Sequence, residues 1–197
     1  SGKLLRDVRM DTEGAAEVCD YLQGLGRHIH VYDGKDVYMN RDDEYKRYYE
    51  KVCGVSGILT GEDVASVVRE KGIRPQKVLS MNAAEENAEI FALVNGRFKD
   101  RYEVTSSSDF LVEVTSFGCN KGGALEFLAG YYGIPMEKTI AVGDNYNDIP
   151  MIKKAGLGVA VQNGVAEIKE EADFITKTCD EDGVGYVIRK FGLGENV

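Results

Sequence analysis

The residues best suited to chemistry lie between positions 140 and 151, in the run IAVGDNYNDIPM. A short apolar stretch stops at Gly143 and is followed at once by Asp144, Asn145, Asn147 and Asp148. Carboxylate oxygens are what a hard divalent cation binds, and negative charge is favoured where a helix begins, because its first N–H groups are free. The same placement has a plainer use: Asp144 or Asn145 can cap the helix, with Asp148 improving its first turn. Lys121 falls at the predicted start of another helix, where a cation opposes the helix dipole. That placement makes sense beside a carboxylate or an anionic ligand, and a solvated surface lysine is the plainer alternative. Together, a hard-cation ligand and a phosphate-neutralising lysine at adjacent strand ends outline a site for phosphoryl transfer.

Two kinds of scaffold are predicted to hold these residues. From Lys121 onward helix and strand alternate: KGGALEFLAGYYG reads as a helix with Leu125, Leu128 and Tyr132 on one face, TIAVG as a strand, NDIPMIKKAG as a helix and GVAVQ as a strand. VAEIKEEA, DFIT and GVGYVIRKF continue the pattern. Short apolar strands each followed by a helix predict an α/β, doubly wound parallel sheet, in which ligands sit at the carboxyl ends of the strands. Residues 10 to 115 differ. A helix with Thr12 as its cap candidate precedes a hairpin at Asp33-Gly34, further helices, and two strands joined by a Ser-rich turn, which predicts an α+β module on an antiparallel sheet. Residues 1 to 9 read as a connecting strand already under way, and residues 116 to 197 as the second half of the α/β core.

Composition narrows the functions. With 24 Lys and Arg against 33 Asp and Glu the net charge is -9, and no basic track for a nucleic-acid backbone is present. No apolar run is long enough to cross a membrane, and the expectation is a cytoplasmic protein. Cys19, Cys53, Cys119 and Cys179 show no metal or disulfide spacing and are expected as buried free thiols. His28 and His30 alternate along one strand, with no third ligand in sight, and are expected as a partly exposed strand pair. Tyr45, Tyr48 and Tyr49 form an aromatic cluster suited to packing, with recognition as the alternative. GLGRHI leads from helix into strand, the reverse of a dinucleotide loop.

From Asn120 to Ile188 the sequence resembles the C-terminal part of a Cof-type phosphatase of the haloacid dehalogenase (HAD) superfamily. The resemblance rests on a Lys-Gly-x-Ala-Leu helix start, Gly-Asp-x-x-Asn-Asp, a Val-x-Asn-Gly turn, a Lys-x-x-Ala-Asp strand lead and a late Asp-Gly-Val, all in order. Residues 10 to 115 are similar to the α/β cap that this group inserts into its core. The resemblance implies a phosphatase of small phosphorylated metabolites, with Asp144 as a Mg²⁺ ligand, Asp148 supporting the acidic cluster and Lys121 steadying the phosphoryl group. It also implies that Asn147 contacts phosphate or substrate and that Asn163 lines the site, although VQNG stands where the family carries Met-Gly-Asn-Ala. The Tyr cluster would then lie in the part that chooses the substrate.

The family attacks phosphate with an aspartate in an Asp-x-Asp-Gly-Thr motif, forming an aspartyl-phosphate, and no such motif precedes Lys121. DEDG at Asp180 to Gly183 follows no buried strand and is read as a helix lead-in. The expectation is therefore a cap and half a core, lacking on the order of 80 residues of βα units and inactive alone. Such a chain should hold Mg²⁺ weakly and self-associate through an exposed sheet edge. A phosphomutase-type phosphotransferase on the same fold, and a binding or regulatory module without a nucleophile, are the alternatives.

Overall fold

A computed structural model of the chain describes residues 2–196. They fall into two compact units that divide between Gly118 and Cys119, three residues beyond the boundary read from the sequence. The expected connecting strand at 1–9 does not form over its described part, residues 2–9. Among the described residues they have no strand partner; the Arg9 side chain pairs with Asp7 and Asp33, and just beyond it the backbone N–H of Met10 donates to Pro75 O at 2.8 Å.

The first unit runs α1 (Thr12–Gly24), β1 (His28–Asp33), β2 (Asp36–Met39), α2 (Glu44–Cys53), β3 (Ile58–Leu59), α3 (Val64–Lys71), β4 (Lys77–Met81), α4 (Ala84–Phe98), β5 (Tyr102–Ser108) and β6 (Leu111–Ser116). Its strands are ordered β3-β2-β1-β4-β6-β5. All neighbours are antiparallel except the two-residue β3, which joins β2 in parallel, so the expected antiparallel sheet is mixed at one edge. Alternation along the strands decides which side is buried against the helices. Ile29, Val31, Val78, Val112 and Val114 meet Ala15, Val18 and Leu22 of α1, Val64 and Val68 of α3, and Ile90, Val94 and Phe98 of α4 in one apolar core. Each such side chain contributes roughly 1.5–3 kcal/mol of burial.

The cap of α1 is Asp11, one residue before the expected Thr12. Its Oδ1 accepts from Gly14 N at 2.7 Å while its Oδ2 accepts from the Tyr102 hydroxyl at 3.0 Å, so one carboxylate starts the helix and ties it to β5. Thr12, already helical, cannot serve both. Cys19 is buried, as expected of the thiols, but Cys53 and Cys179 are exposed and Cys119 is half-buried; none of the four is in a disulfide.

The second unit holds α5 (Lys121–Tyr132), β7 (Ile140–Gly143), α6 (Ile149–Lys154), β8 (Leu157–Val161), α7 (Ala166–Glu171), β9 (Phe174–Thr176) and α8 (Gly183–Val187). The sheet is parallel, in the order β7-β8-β9. Ala141 and Ala160 pack on Ile152 and Ile168 from one side. On the other side Phe174 stacks on Tyr186 of α8, so helices lie on both faces, as a doubly wound sheet requires. The predicted Leu125, Leu128 and Tyr132 face of α5 is not the buried one: Leu125 joins the core, but Leu128 and Tyr132 are exposed. The helix packs through Gly122, Leu125 and Ala129 because small residues allow a closer approach than the bulky ones.

Replacing Asp11 by Ala removes a cap and a tertiary hydrogen bond together. The expected loss is about 1–2 kcal/mol, read as a lower urea midpoint with unchanged slope, and Asp11→Asn should recover most of it by keeping the cap.

Candidate active site

β7 stops at Gly143, and the chain after it wraps into a tight turn over Tyr146–Asp148 that runs on into α6. The turn closes around the Asp148 carboxylate. Its Oδ2 accepts from the backbone N–H of Asp144 at 2.9 Å and of Asn145 at 3.2 Å. Asn145 caps the turn in return, so that each residue satisfies the other's free N–H. The strand end must be glycine for the carboxylate to fit: a first side-chain carbon on Gly143 would lie 2.5 Å from Asp148 Cβ.

Asp148 Oδ1 accepts from the Lys121 ammonium. Lys121 is the first residue of α5, whose cap is Asn120, accepting from Gly123 N at 2.9 Å. The helix comes near enough because Gly122 lies against the Pro150 backbone, where a side-chain carbon would sit 2.4 Å from Pro150 O. Asn147 Oδ1 stands 3.5 Å from the same ammonium. The Asp148 side chain is 3% exposed and that of Lys121 is 48% exposed. The ammonium is thus anchored on a buried carboxylate while remaining open to solvent.

The two aspartates titrate in opposite directions. Burial alone would raise the Asp148 carboxyl, but Lys121 and the two backbone N–H groups outweigh it and hold it below the usual carboxylate range. At Asp144 the packing around the carboxyl and the neighbouring Asp148 push the other way and raise it, with Lys121 opposing only in part. A carboxyl that resists ionisation beside another carboxylate is relieved by a cation, so Asp144 fits a Mg²⁺ ion as one ligand. Both oxygens of Asp148 are already taken, and among the described residues no three His, Cys, Asp or Glu side chains cluster to hold a metal. Mg²⁺ commonly completes its shell with waters and phosphate oxygens around one or two carboxylates. Asp144 is a carboxylate of the kind such a shell uses.

The structure therefore brings together Lys121, Asp144, Asn147 and Asp148. Asn163 is turned aside: its Oδ1 accepts from Cys179 N at 3.2 Å, although its loop is joined to the site through Val165 N, which donates to Asp144 O at 2.9 Å. Asp182, in the DEDG run, has φ 57° and caps α8, accepting from Gly185 N and pairing with Arg189. Asn120 and Gly122 are the supporting residues that sequence reasoning missed. An asparagine three residues before a helical N–H, in NKGG, was the available signal for the first; the second depends on a contact with α6 that no local pattern encodes.

Residues 1–188 match the haloacid dehalogenase-like hydrolase family. A protein of Streptococcus pyogenes serotype M6, provisionally named a phosphatase, is 38% identical over 98% of this chain and 74% of its own length. The 5-amino-6-(5-phospho-D-ribitylamino)uracil phosphatase YcsE of Bacillus subtilis is 48% identical over 46% of this chain, a stretch that spans only 36% of that enzyme. Among solved structures, one from Thermotoga maritima shares 27% identity with a TM-score of 0.74, covering 97% of this chain and 70% of its own. The chain spans less than two thirds of several curated relatives it matches.

The Asp148 arrangement makes stability depend on acid. A carboxyl held below its unfolded value stabilises fully above about pH 4–5 and loses that contribution as pH falls through the lower folded value. Asp148→Asn should be less stable than wild type by about 1–3 kcal/mol at pH 7, allowing for the half-exposed lysine. The gap between the two urea midpoints should shrink as pH falls below about 4; a gap of constant size down to about pH 3 would refute the assignment.

Proposed function

The chain belongs to the haloacid dehalogenase-like hydrolase family, and we propose that its second unit supplies the lysine and the acidic half of a Mg²⁺-dependent phosphatase site for small phosphorylated metabolites, sugar phosphates included, in the cytoplasm. The observation that carries the proposal is the Lys121 ammonium, fixed on buried Asp148 yet half exposed, at the carboxyl end of β7 next to Asp144.

In this reading Lys121 neutralises charge on the phosphoryl group, and it is held for that task by Asp148, which acts as a positioning residue. Asn147 accepts from the same ammonium and keeps it turned toward the substrate. Asp144 would hold Mg²⁺, which when bound polarises phosphoryl oxygens as a Lewis acid. Asn163 acts through its loop, steadying the Asp144 backbone. The nucleophilic carboxylate is not among these 197 residues, since no Asp-x-Asp-Gly-Thr occurs in them; it would come from further polypeptide of the same protein. This chain alone would then be inactive. β7 is an edge of its sheet, with Ile140 on it and Leu128 and Tyr132 of α5 exposed, surfaces that favour self-association.

The first unit is proposed as the cap that chooses the substrate. Of its tyrosines, Tyr48 is exposed, whereas the Tyr49 ring lies edge-on to His30 and its hydroxyl accepts from that of Tyr32. Tyr48, whose ring meets Phe110 edge-on, is the exposed one and the one placed to meet a ligand.

Reading the gene upstream of the Ser1 codon should reveal an in-frame Asp-x-Asp-Gly-Thr. The protein expressed with that region should hydrolyse members of a phosphate-ester panel that includes phosphorylated ribitylaminouracil. Lys121→Ala should then lower kcat/KM at least ~100-fold, while Tyr48→Ala should reorder the panel and leave the best kcat within a few-fold. Turnover by the 197 residues alone, unaffected by Lys121→Ala, would overturn the reading. Transfer of the phosphoryl group to a sugar hydroxyl in preference to water would identify a phosphotransferase.

A further inference from the structure

The face of the first unit's sheet turned away from the apolar core carries a row of polar groups. His28, His30 and Tyr32 alternate onto it from β1, opposite Ile29 and Val31. Both histidines are buried, at 2% and 0% exposure, and not the partly exposed pair that alternation alone predicts. The cover is α2: its Tyr49 ring centroid lies 4.5 Å from that of His30 and its Tyr45 centroid 5.7 Å from that of His28. The helix has no fully buried side chain of its own, and the same sheet face also carries Met39, Leu79 and Met81, buried and in register with the two histidines. What fastens the first turn of α2 is polar. Asp43 caps α2, its Oδ1 accepting from Tyr45 N and Lys46 N, and its carboxylate also takes His28 Nδ1 at 2.9–3.0 Å. His28 Nε2 lies 2.8 Å from His30 Nε2, and His30 Nδ1 is buried without a hydrogen-bond partner among the described residues.

Proton counting fixes what this chain can tolerate. The Asp43 carboxylate requires a proton on His28 Nδ1. A neutral His28 therefore offers a bare Nε2, and His30 must donate to it from its own Nε2. One added proton can be accommodated on His28, with His30 shifting its proton to Nδ1. A second cannot, because two N–H groups would then point at each other across 2.8 Å.

We propose that Asp43, His28 and His30 form a proton-operated latch for α2: the helix stays seated while one of the two facing imidazole nitrogens is bare, and it lifts from the sheet when acid protonates both. The surroundings favour the seated form at neutral pH. Burial is the first cause at both rings, lowering His28 and pushing His30 down to about 3. At His28, Asp43 opposes that shift and Arg41, between β2 and α2, adds to it. At His30, the His28 ring and Lys77 of β4 add to it. Lys77 is itself matched by Glu113 of β6 at 3.2 Å and lies 4.6 Å from the centre of the Tyr32 ring, and Tyr32 bonds Tyr49 on α2. Once α2 lifts, the rings return toward an ordinary histidine value near 6.5, so the lifted form binds more protons. The seated form is accordingly favoured above about pH 6.5 and loses ground as pH falls toward the seated value of His30.

Amide hydrogen exchange of the full chain, read by NMR and corrected for intrinsic rates, tests the latch. Protection of α2 amides from residue 48 to 53 should fall about tenfold per pH unit per proton below about pH 6.5, while α1 amides keep theirs. His30→Phe fills the same space against Tyr49 without titrating, and should remove most of that slope. Parallel loss in α1 and α2, an α2 unchanged down to pH 5, or the slope surviving in His30→Phe would each overturn the proposal. Should His30→Phe not fold, imidazole ¹⁵N shifts of the wild type decide. A neutral His30 wherever α2 is protected sustains the latch, and two doubly protonated rings under an intact α2 sink it.

Discussion

The second unit's site depends on how one buried carboxylate is satisfied. Asp148 sits at the end of a strand with almost no exposure, where an unpaired charge would cost several kcal/mol. Two backbone N–H groups and one ammonium take up its oxygens. Meeting that demand dictates the neighbourhood: glycine at 143 to admit the side chain, a tight turn to aim two N–H groups inward, and α5 pressed so close to α6 that position 122 must also be glycine. Lys121 is consequently held by the fold before any ligand arrives, which is the pre-organisation that electrostatic catalysis exploits.

The same demand separates two chemically identical residues. Asp148 spends its charge internally, and its proximity makes Asp144 reluctant to ionise. The acidic pair is thus one structural anion and one carboxyl that gains from an external cation. The family resemblance gives Asp144 to the metal and makes Asp148 a support of the acidic cluster; the turn geometry shows which groups Asp148 is bonded to.

Strand and helix types in the second unit were legible because each strand is short and apolar and each helix follows at once, and α5, β7 and β8 begin or end within a residue or two of where their patterns do. That Asp144, Asn147 and Asp148 come together beside Lys121 was legible in their crowding at one strand end, where capping and ligand binding both use polar groups. Burial was harder to read. The bulky face of α5 looked like the core face, but close packing against α6 selected the small residues. The histidine pair looked half exposed, because alternation reports which side of a strand a residue faces and says nothing of the cover that α2 supplies. Asp11 took the cap from Thr12 because Tyr102, 91 residues away, bonds the same carboxylate.

Burial also differs between the units. In the first, nineteen buried side chains form one core, whereas among the described residues of the second four do, helped by a ring of half-buried ones, with Ala129, Val159, Val161 and Val187 buried outside that cluster. A small three-stranded sheet cannot cover its own edge, and Ile140, Leu128 and Tyr132 remain in water. The unit that carries the charged site is therefore the one with less apolar burial to hold its geometry, which makes the Asp148 network more than a local detail. With few large side chains locking α5 against the turn, the hydrogen bonds around that carboxylate, together with two glycine contacts, are what keep Lys121 within reach of Asp144.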